Sequence, residues 1–186
     1  MTEVGMIPAD RRNFRRAARR AGEIRYIVLH GAAGEGSARQ QAERAAGYAA
    51  GVSAHYYVDG QAVWQSVADR DVAWHCGTRG AYAHPYCRNG NSIGVALCGR
   101  MQDGRQTFLP ETVRRAQALV RRLMARYGIP AENVLRHYDV THKTCPAPFV
   151  ESDARWAAFC AGLDGPAAGG QSKSRRRSAS GAKRRK

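Results

Sequence analysis

The sequence has no apolar run near the ~18 residues that a membrane-spanning helix needs, so no stretch of it reads as one. Its first twenty residues, MTEVGMIPADRRNFRRAARR, carry charges but no apolar h-region and do not read as a secretory signal peptide. Cysteine is sparse and odd in number: the five residues at 76, 87, 98, 145 and 160, with no export signal, argue against a disulfide framework. Only Cys76 and Cys87 are placed to pair within one loop. Large apolar residues are missing altogether from GPAAGGQSKSRRRSASGAKRRK, which therefore has nothing to bury and is expected to be disordered. Acidic residues number 15 against 30 Lys and Arg, and no internal repeat is visible.

The excess charge of +15 is unevenly placed. Residues 165–186 hold eight Lys or Arg and no acid, and residues 1–25 hold seven Arg against three acids. The span between them carries only +3. A nearly balanced fold with basic ends disfavours specific nucleic-acid recognition, and neither end interleaves aromatics with its charges beyond Phe14. The expected organisation is a basic arm over 1–22, a single domain over 23–163 and a disordered basic tail over 164–186. Arginine pairs at 11/12, 15/16 and 19/20 recur every four residues, one basic stripe if the arm is helical.

Between the ends, strand and helix patterns alternate. Ile24–His30 is short, apolar and β-branched, a buried strand ending at His30. Ser37 to about Ala50 reads as a helix, with Ser37 and Gln40 spaced as a capping box. Ser53–Val58 and Ala62–Val67 read as paired strands about an Asp59-Gly60 turn. A long loop follows over 69–91, then a strand over Ser92–Cys98. Pro110–Tyr127 is a helix with Val113, Ala116, Val120, Leu123 and Tyr127 on one face, opened by Pro110 and closed by Gly128. A short strand at Val134–Arg136 leads into His137, and a last helix is expected from about Glu151 to Ala161. The fold class is α/β, a central mixed β-sheet flanked by helices.

His30 at a strand end, His137, and Cys145 in the run HYDVTHKTCP make a donor set suited to zinc. The ion favours imidazole nitrogen and thiolate sulfur, and a catalytic site keeps one position open beyond three protein ligands. Lys143, two residues before Cys145, is placed to reach the same open position.

The stretches YIVLH (26–30), SAHYYVDG (53–60), VAWHCG (72–77), NSIGVALC (91–98) and RHYDVTHKTCP (136–146) give the chain a family likeness. From about residue 7 to 162 it resembles the zinc amidases of the peptidoglycan-recognition superfamily, in particular phage and prophage N-acetylmuramoyl-L-alanine amidases. That resemblance implies a Zn2+ held by His30, His137 and Cys145, with Lys143 as the catalytic lysine. It implies that Trp74 and His75 line the substrate groove, that Tyr57 belongs to the same cleft, and that His55 beside the site contributes to its substrate side.

It also marks a departure: relatives of this subtype commonly carry glutamate at the position of Ala96, and other branches a tyrosine at the position of Ala54. Alanine cannot relay a proton to the leaving amine, a task worth ~10²–10⁴ in rate. Three readings stay open: a substitution that traps a bound state, a binding module that keeps the fold, or a stand-in such as Tyr56, Tyr57, His75 or a nearby Asp. The expected activity is zinc-dependent, endolysin-like hydrolysis of the N-acetylmuramoyl–L-alanine amide bond. The alternative is a non-catalytic muropeptide or cell-wall binder. The expected partners are peptidoglycan or a muropeptide, and an anionic wall or outer-membrane surface met by the basic tail; the chain is expected to be monomeric. On this reading it is made in the cytoplasm and acts on the cell wall after release.

Overall fold

The apolar run Tyr26–Gly31 lies at the centre of the protein because every residue from Tyr26 to His30 is buried. The computed structural model describes residues 3–77 and 80–164. In chain order these form β1 (Val4–Met6), β2 (Phe14–Arg15), β3 (Tyr26–Gly31), α1 (Ala38–Gly47), β4 (Tyr56–Val58), β5 (Val63–Gln65) and β6 (Val72–Ala73). There follow β7 (Ser92–Leu97), β8 (Arg100–Gln102), β9 (Arg105–Thr107), α2 (Pro110–Tyr127), β10 (Val134–Arg136), α3 (His137–Thr141), α4 (Ala147–Val150) and α5 (Asp153–Ala161). The main sheet has the order β1-β5-β4-β7-β3-β10. Within it β4, β7, β3 and β10 run parallel, and β5 lies antiparallel to β4. Strands this apolar are suited to a sheet covered on both faces.

The helices sit where their caps and faces predict. Ser37 accepts from the Gln40 amide and Gln40 reaches back to Ser37, so α1 opens with the expected capping box. Pro110 starts α2, and Gly128 ends it in the left-handed region at φ 64°. Ala116, Leu119, Val120 and Leu123 of α2 are buried against Ile27, Leu29, Val95 and Leu97 of the sheet, with Phe149 and Phe159 closing the same core. Fully burying each such leucine or valine is worth roughly 1.5–3 kcal/mol. The cover formed by α1 is made of small residues, Ala38, Ala42 and Ala45.

Residues 1–22, expected as a basic arm, are instead part of the fold from Val4 onward. β1 pairs in parallel with β5 at the edge of the main sheet, and β2 pairs with β6. The segment holds only short 3-10 turns, at Arg11–Asn13 and from Ala21, and no α-helix, so the arginine stripe does not form. Asn13 is fully buried and its side chain bonds the Ala45 and Tyr48 carbonyls and the Ala50 amide, which holds the segment against the end of α1. Arg19 is 8% exposed. Its guanidinium donates to the Ser92 carbonyl at 2.8 Å and the Asp69 carbonyl at 2.7 Å, with Asn89 and Gly90 further out.

Two further differences are local. The strands about Asp59-Gly60 are shorter than expected, at Tyr56–Val58 and Val63–Gln65. An unanticipated hairpin, β8–β9, turns on Asp103 and Gly104, both at positive φ, as a two-residue Asp-Gly turn requires. All five cysteines are free thiols. No helix among the described residues is long and apolar enough to cross a membrane. The basic tail, apart from Asp164, lies outside the described residues.

Candidate metal centre and cleft

Four parallel strands bring their carboxyl ends to one side of the sheet, the place where α/β sheets bind ligands. His30 stands at the end of β3, and His137 immediately follows β10, the neighbouring strand. Cys145 returns to them by a tight path. α3 makes little more than one turn, His142 takes the left-handed conformation at φ 58°, and the Tyr138 amide donates to the Cys145 carbonyl at 2.9 Å.

One ligand atom from each of His30, His137 and Cys145 falls within a cluster no wider than 4.8 Å. His30 Nδ1 faces Cys145 Sγ at 4.0 Å. His137 Nε2 is buried with no hydrogen-bond partner. An orphaned buried nitrogen of this kind is costly unless a ligand fills it. Burial is the main cause that lowers both histidines, His30 well below its ordinary value and His137 to about 4, and the Lys143 charge adds to it. Both imidazoles are therefore neutral at neutral pH and offer lone pairs. Burial pushes the Cys145 thiol up, while the Gly31 backbone and Lys143 pull the other way. A buried thiolate needs a cation beside it, and a donor set of two neutral imidazoles and one thiolate fits Zn2+.

The cluster lies at the foot of a cleft of about 350 Å³. Lys143, exposed in the segment between α3 and Cys145, reaches the cleft, as do Trp74, His75, Tyr57, Ala54 and Ala96. Ala96 pairs in register with His30 on one side and Tyr57 on the other. A side chain at 96 is therefore flanked by a ligand of the candidate centre and by a tyrosine ring. Burial raises Tyr57 above its ordinary value, which keeps its hydroxyl protonated. Among the described residues lining the cleft there is no Asp or Glu.

His55 does not line the cleft, contrary to expectation. It is fully buried, its Nδ1 accepts from the Gly94 amide at 2.9 Å, and its Nε2 lies 3.2 Å from the Asp71 carbonyl. Burial and the Arg19 charge lower it to about 3, so it stays neutral. Tyr56, one of the weighed stand-ins, is also turned away and donates to Asp69 at 2.7 Å. His75 lies at the inner wall, 8% exposed, with His30 Nε2 at 3.0 Å from its Nδ1.

Residues that sequence reading passed over complete the cleft. Gln41, Arg44 and Tyr48 line it from α1 and its end, at the three-to-four-residue spacing of one helix face. That spacing was readable, but their polar character reads equally well as a solvated face. The Asn89 side chain accepts from the His75 and Cys76 amides at 3.0 and 2.6 Å, which fixes the segment carrying Trp74.

A mixed sheet with a two-histidine, one-cysteine cluster at its carboxyl edge defines the class, an α/β domain shaped like the catalytic domains of bacterial wall hydrolases. The catalytic domain of XlyA superposes with a TM-score of 0.70 at 25% identity, covering 87% of this chain and 99% of that one. The profile of the N-acetylmuramoyl-L-alanine amidase family matches residues 20–148, and the chain belongs to that family. A probable N-acetylmuramoyl-L-alanine amidase of Bacillus licheniformis is 36% identical over 110 residues, 58% of this chain and 30% of that protein. The amidase BlyA of Bacillus subtilis is 32% identical over 152 residues, 73% of this chain and 40% of its own length. The chain thus spans less than half the length of these curated relatives. Escherichia coli AmiD, solved with the substrate anhydro-N-acetylmuramic acid-L-Ala-D-gamma-Glu-L-Lys, matches with a TM-score of 0.58 at 26% identity, over 78% of this chain and 60% of that one.

Proposed function

We propose that the chain is a zinc-dependent N-acetylmuramoyl-L-alanine amidase whose turnover is held down by the methyl group at Ala96. The observation that carries this is the convergence of His30, His137 and Cys145 within 4.8 Å at the foot of a cleft, in a member of this family. The substrate is a muropeptide, and the bond cut joins the lactyl carbonyl of N-acetylmuramic acid to the nitrogen of L-alanine. The AmiD complex with a molecule of this kind supports that choice.

His30, His137 and Cys145 would hold Zn2+, which when bound supplies Lewis-acid polarisation of the scissile carbonyl and of a water molecule. Lys143 at the cleft edge donates to the oxygen on which negative charge develops. Trp74 offers an apolar face to the sugar or peptide. Tyr57, the register partner of Ala96 on β4, orients substrate from that side of the cleft. The leaving nitrogen must also gain a proton, and no carboxylate lines the described cleft to deliver it. That lack favours a second reading, a muropeptide binder with negligible turnover. In either case the eight basic residues of 165–186 draw the chain to an anionic wall, an attraction weakened by salt.

The test is release of free L-alanine amino groups from a purified muropeptide by the zinc-loaded chain. Slow release that stops on chelation and is absent in Cys145→Ser supports the amidase. Zinc-dependent binding without release supports the binder. Release unaffected by chelation and by Cys145→Ser contradicts the zinc reading.

A further inference from the structure

A run of hydrogen bonds leads away from the candidate metal centre and ends on a backbone carbonyl. Ser92 Oγ lies 2.7 Å from the Arg88 carbonyl, which can only accept, so the single hydroxyl proton of Ser92 points there. Ser92 Oγ is then an acceptor toward His75 Nε2 at 3.2 Å, and that nitrogen carries the His75 proton. A neutral imidazole with its proton on Nε2 has a lone pair on Nδ1. His75 Nδ1 faces His30 Nε2 at 3.0 Å, so His30 Nε2 must donate. The remaining nitrogen of His30, Nδ1, keeps its lone pair and is the atom that faces Cys145 Sγ. The Cys76 thiol at 3.2 Å from His75 Nδ1 adds, at most, a second weak donor to the same acceptor and leaves the direction unchanged.

Strand β7 is shaped for this chain of bonds. Ser92, Gly94 and Ala96 share one face by the two-residue period of a strand. Ser92 supplies the acceptor, and Gly94 leaves room for the ring. A Cβ at 94 would stand 2.6 Å from His75 Cγ, far inside contact distance.

We infer that His75 is a positioning residue for the metal centre: it fixes His30 in the tautomer whose Nδ1 lone pair points at the cation site, and it takes its own direction from Ser92 and the Arg88 carbonyl. Both polar atoms of His75 are committed inward, so its ring offers substrate no hydrogen bond. This rests on the zinc reading for its consequence, though the tautomers themselves do not.

Two measurements test it. Long-range 15N–1H imidazole correlations on the full chain, zinc-free and zinc-loaded, should show His30 and His75 both protonated on Nε2. Competition with a chelator should show His75→Ala binding Zn2+ about 10–100-fold more weakly than the native chain. His75→Gln should restore most of that loss, since its carbonyl can accept from His30 while its amide donates to Ser92. Should His75→Ala fail to fold, Ser92→Ala cuts the far end instead and should blur the single His75 tautomer and weaken zinc by a smaller factor. Protonation of His75 on Nδ1, or native-strength zinc binding by a folded His75→Ala, would overturn the inference. A native chain that binds no zinc but shows both Nε2 tautomers sinks the proposed function and leaves the relay standing.

Discussion

On one wall of the cleft, His30, His137 and Cys145 gather three donor atoms within 4.8 Å; on the other, Ala54 and Ala96 present methyl groups in a small apolar cluster with Ala32, Ala38 and Cys98. The first wall is costly without a ligand. It buries two desolvated imidazoles, leaves one ring nitrogen unpaired and holds a thiol whose ionisation burial opposes. The second is inexpensive and chemically inert. On the proposed reading, the two tasks of such a cleft, holding a cation and moving a proton, fall on different walls, and only the first has donor atoms.

The comparison can be strained from either side. Lys143→Ala removes the cationic donor at the cleft edge and should lower whatever turnover the chain has by about 10²–10³, the usual loss for one oxyanion donor. An unchanged rate would move the charge-stabilising role elsewhere. Away from both walls, Arg19→Met leaves several backbone carbonyls without their donor, and urea unfolding should show a loss of about 3 kcal/mol. A loss under about 0.5 kcal/mol, the usual range for a surface change, would return the N-terminal segment to the status of a loose arm.

The smallest expected effect is a pH dependence. His55 is held neutral, near 3 in the fold against an ordinary 6.5, so the unfolded chain binds the extra proton between those values. Stability from this group is therefore intact above the unfolded value and is lost as pH falls from about 6.5 toward 3. Between pH 7 and pH 5 the loss comes to about 2 kcal/mol. It should appear as the difference between the native chain and His55→Asn, whose side-chain oxygen can still accept from Gly94. Parallel pH slopes in the two would contradict it.

Much of this was readable in the sequence where local chemistry decides the outcome. Ser37 with Gln40, and Pro110 with Gly128, set helix ends by capping alone. The strand ending at His30 and the short strand leading into His137 were both readable from their apolar runs, while their parallel pairing, which sets the two histidines side by side, was not. What was hidden depends on distant partners. Arg19 reads as a solvated charge until the carbonyls of 69, 89, 90 and 92 converge on it. Val4–Met6 is three residues long and becomes a strand only because the edge of β5 is open to it. His55 sits one residue from cleft-lining Ala54, and only the Gly94 amide shows that its ring turns inward. The Asp103-Gly104 hairpin carried a clear turn signal that was passed over.

The central claim is that the two walls form an amidase site complete except at position 96. The most direct test compares the zinc-loaded native chain with Ala96→Glu on one purified muropeptide, following release of free L-alanine amino groups. Ala96 pairs in register with His30 and Tyr57, so a carboxylate there enters the cleft beside the proposed metal ligand His30. The account predicts that Ala96→Glu cuts about 10²–10⁴ faster than the native chain. Equal rates for the two, with zinc bound in both, would contradict it.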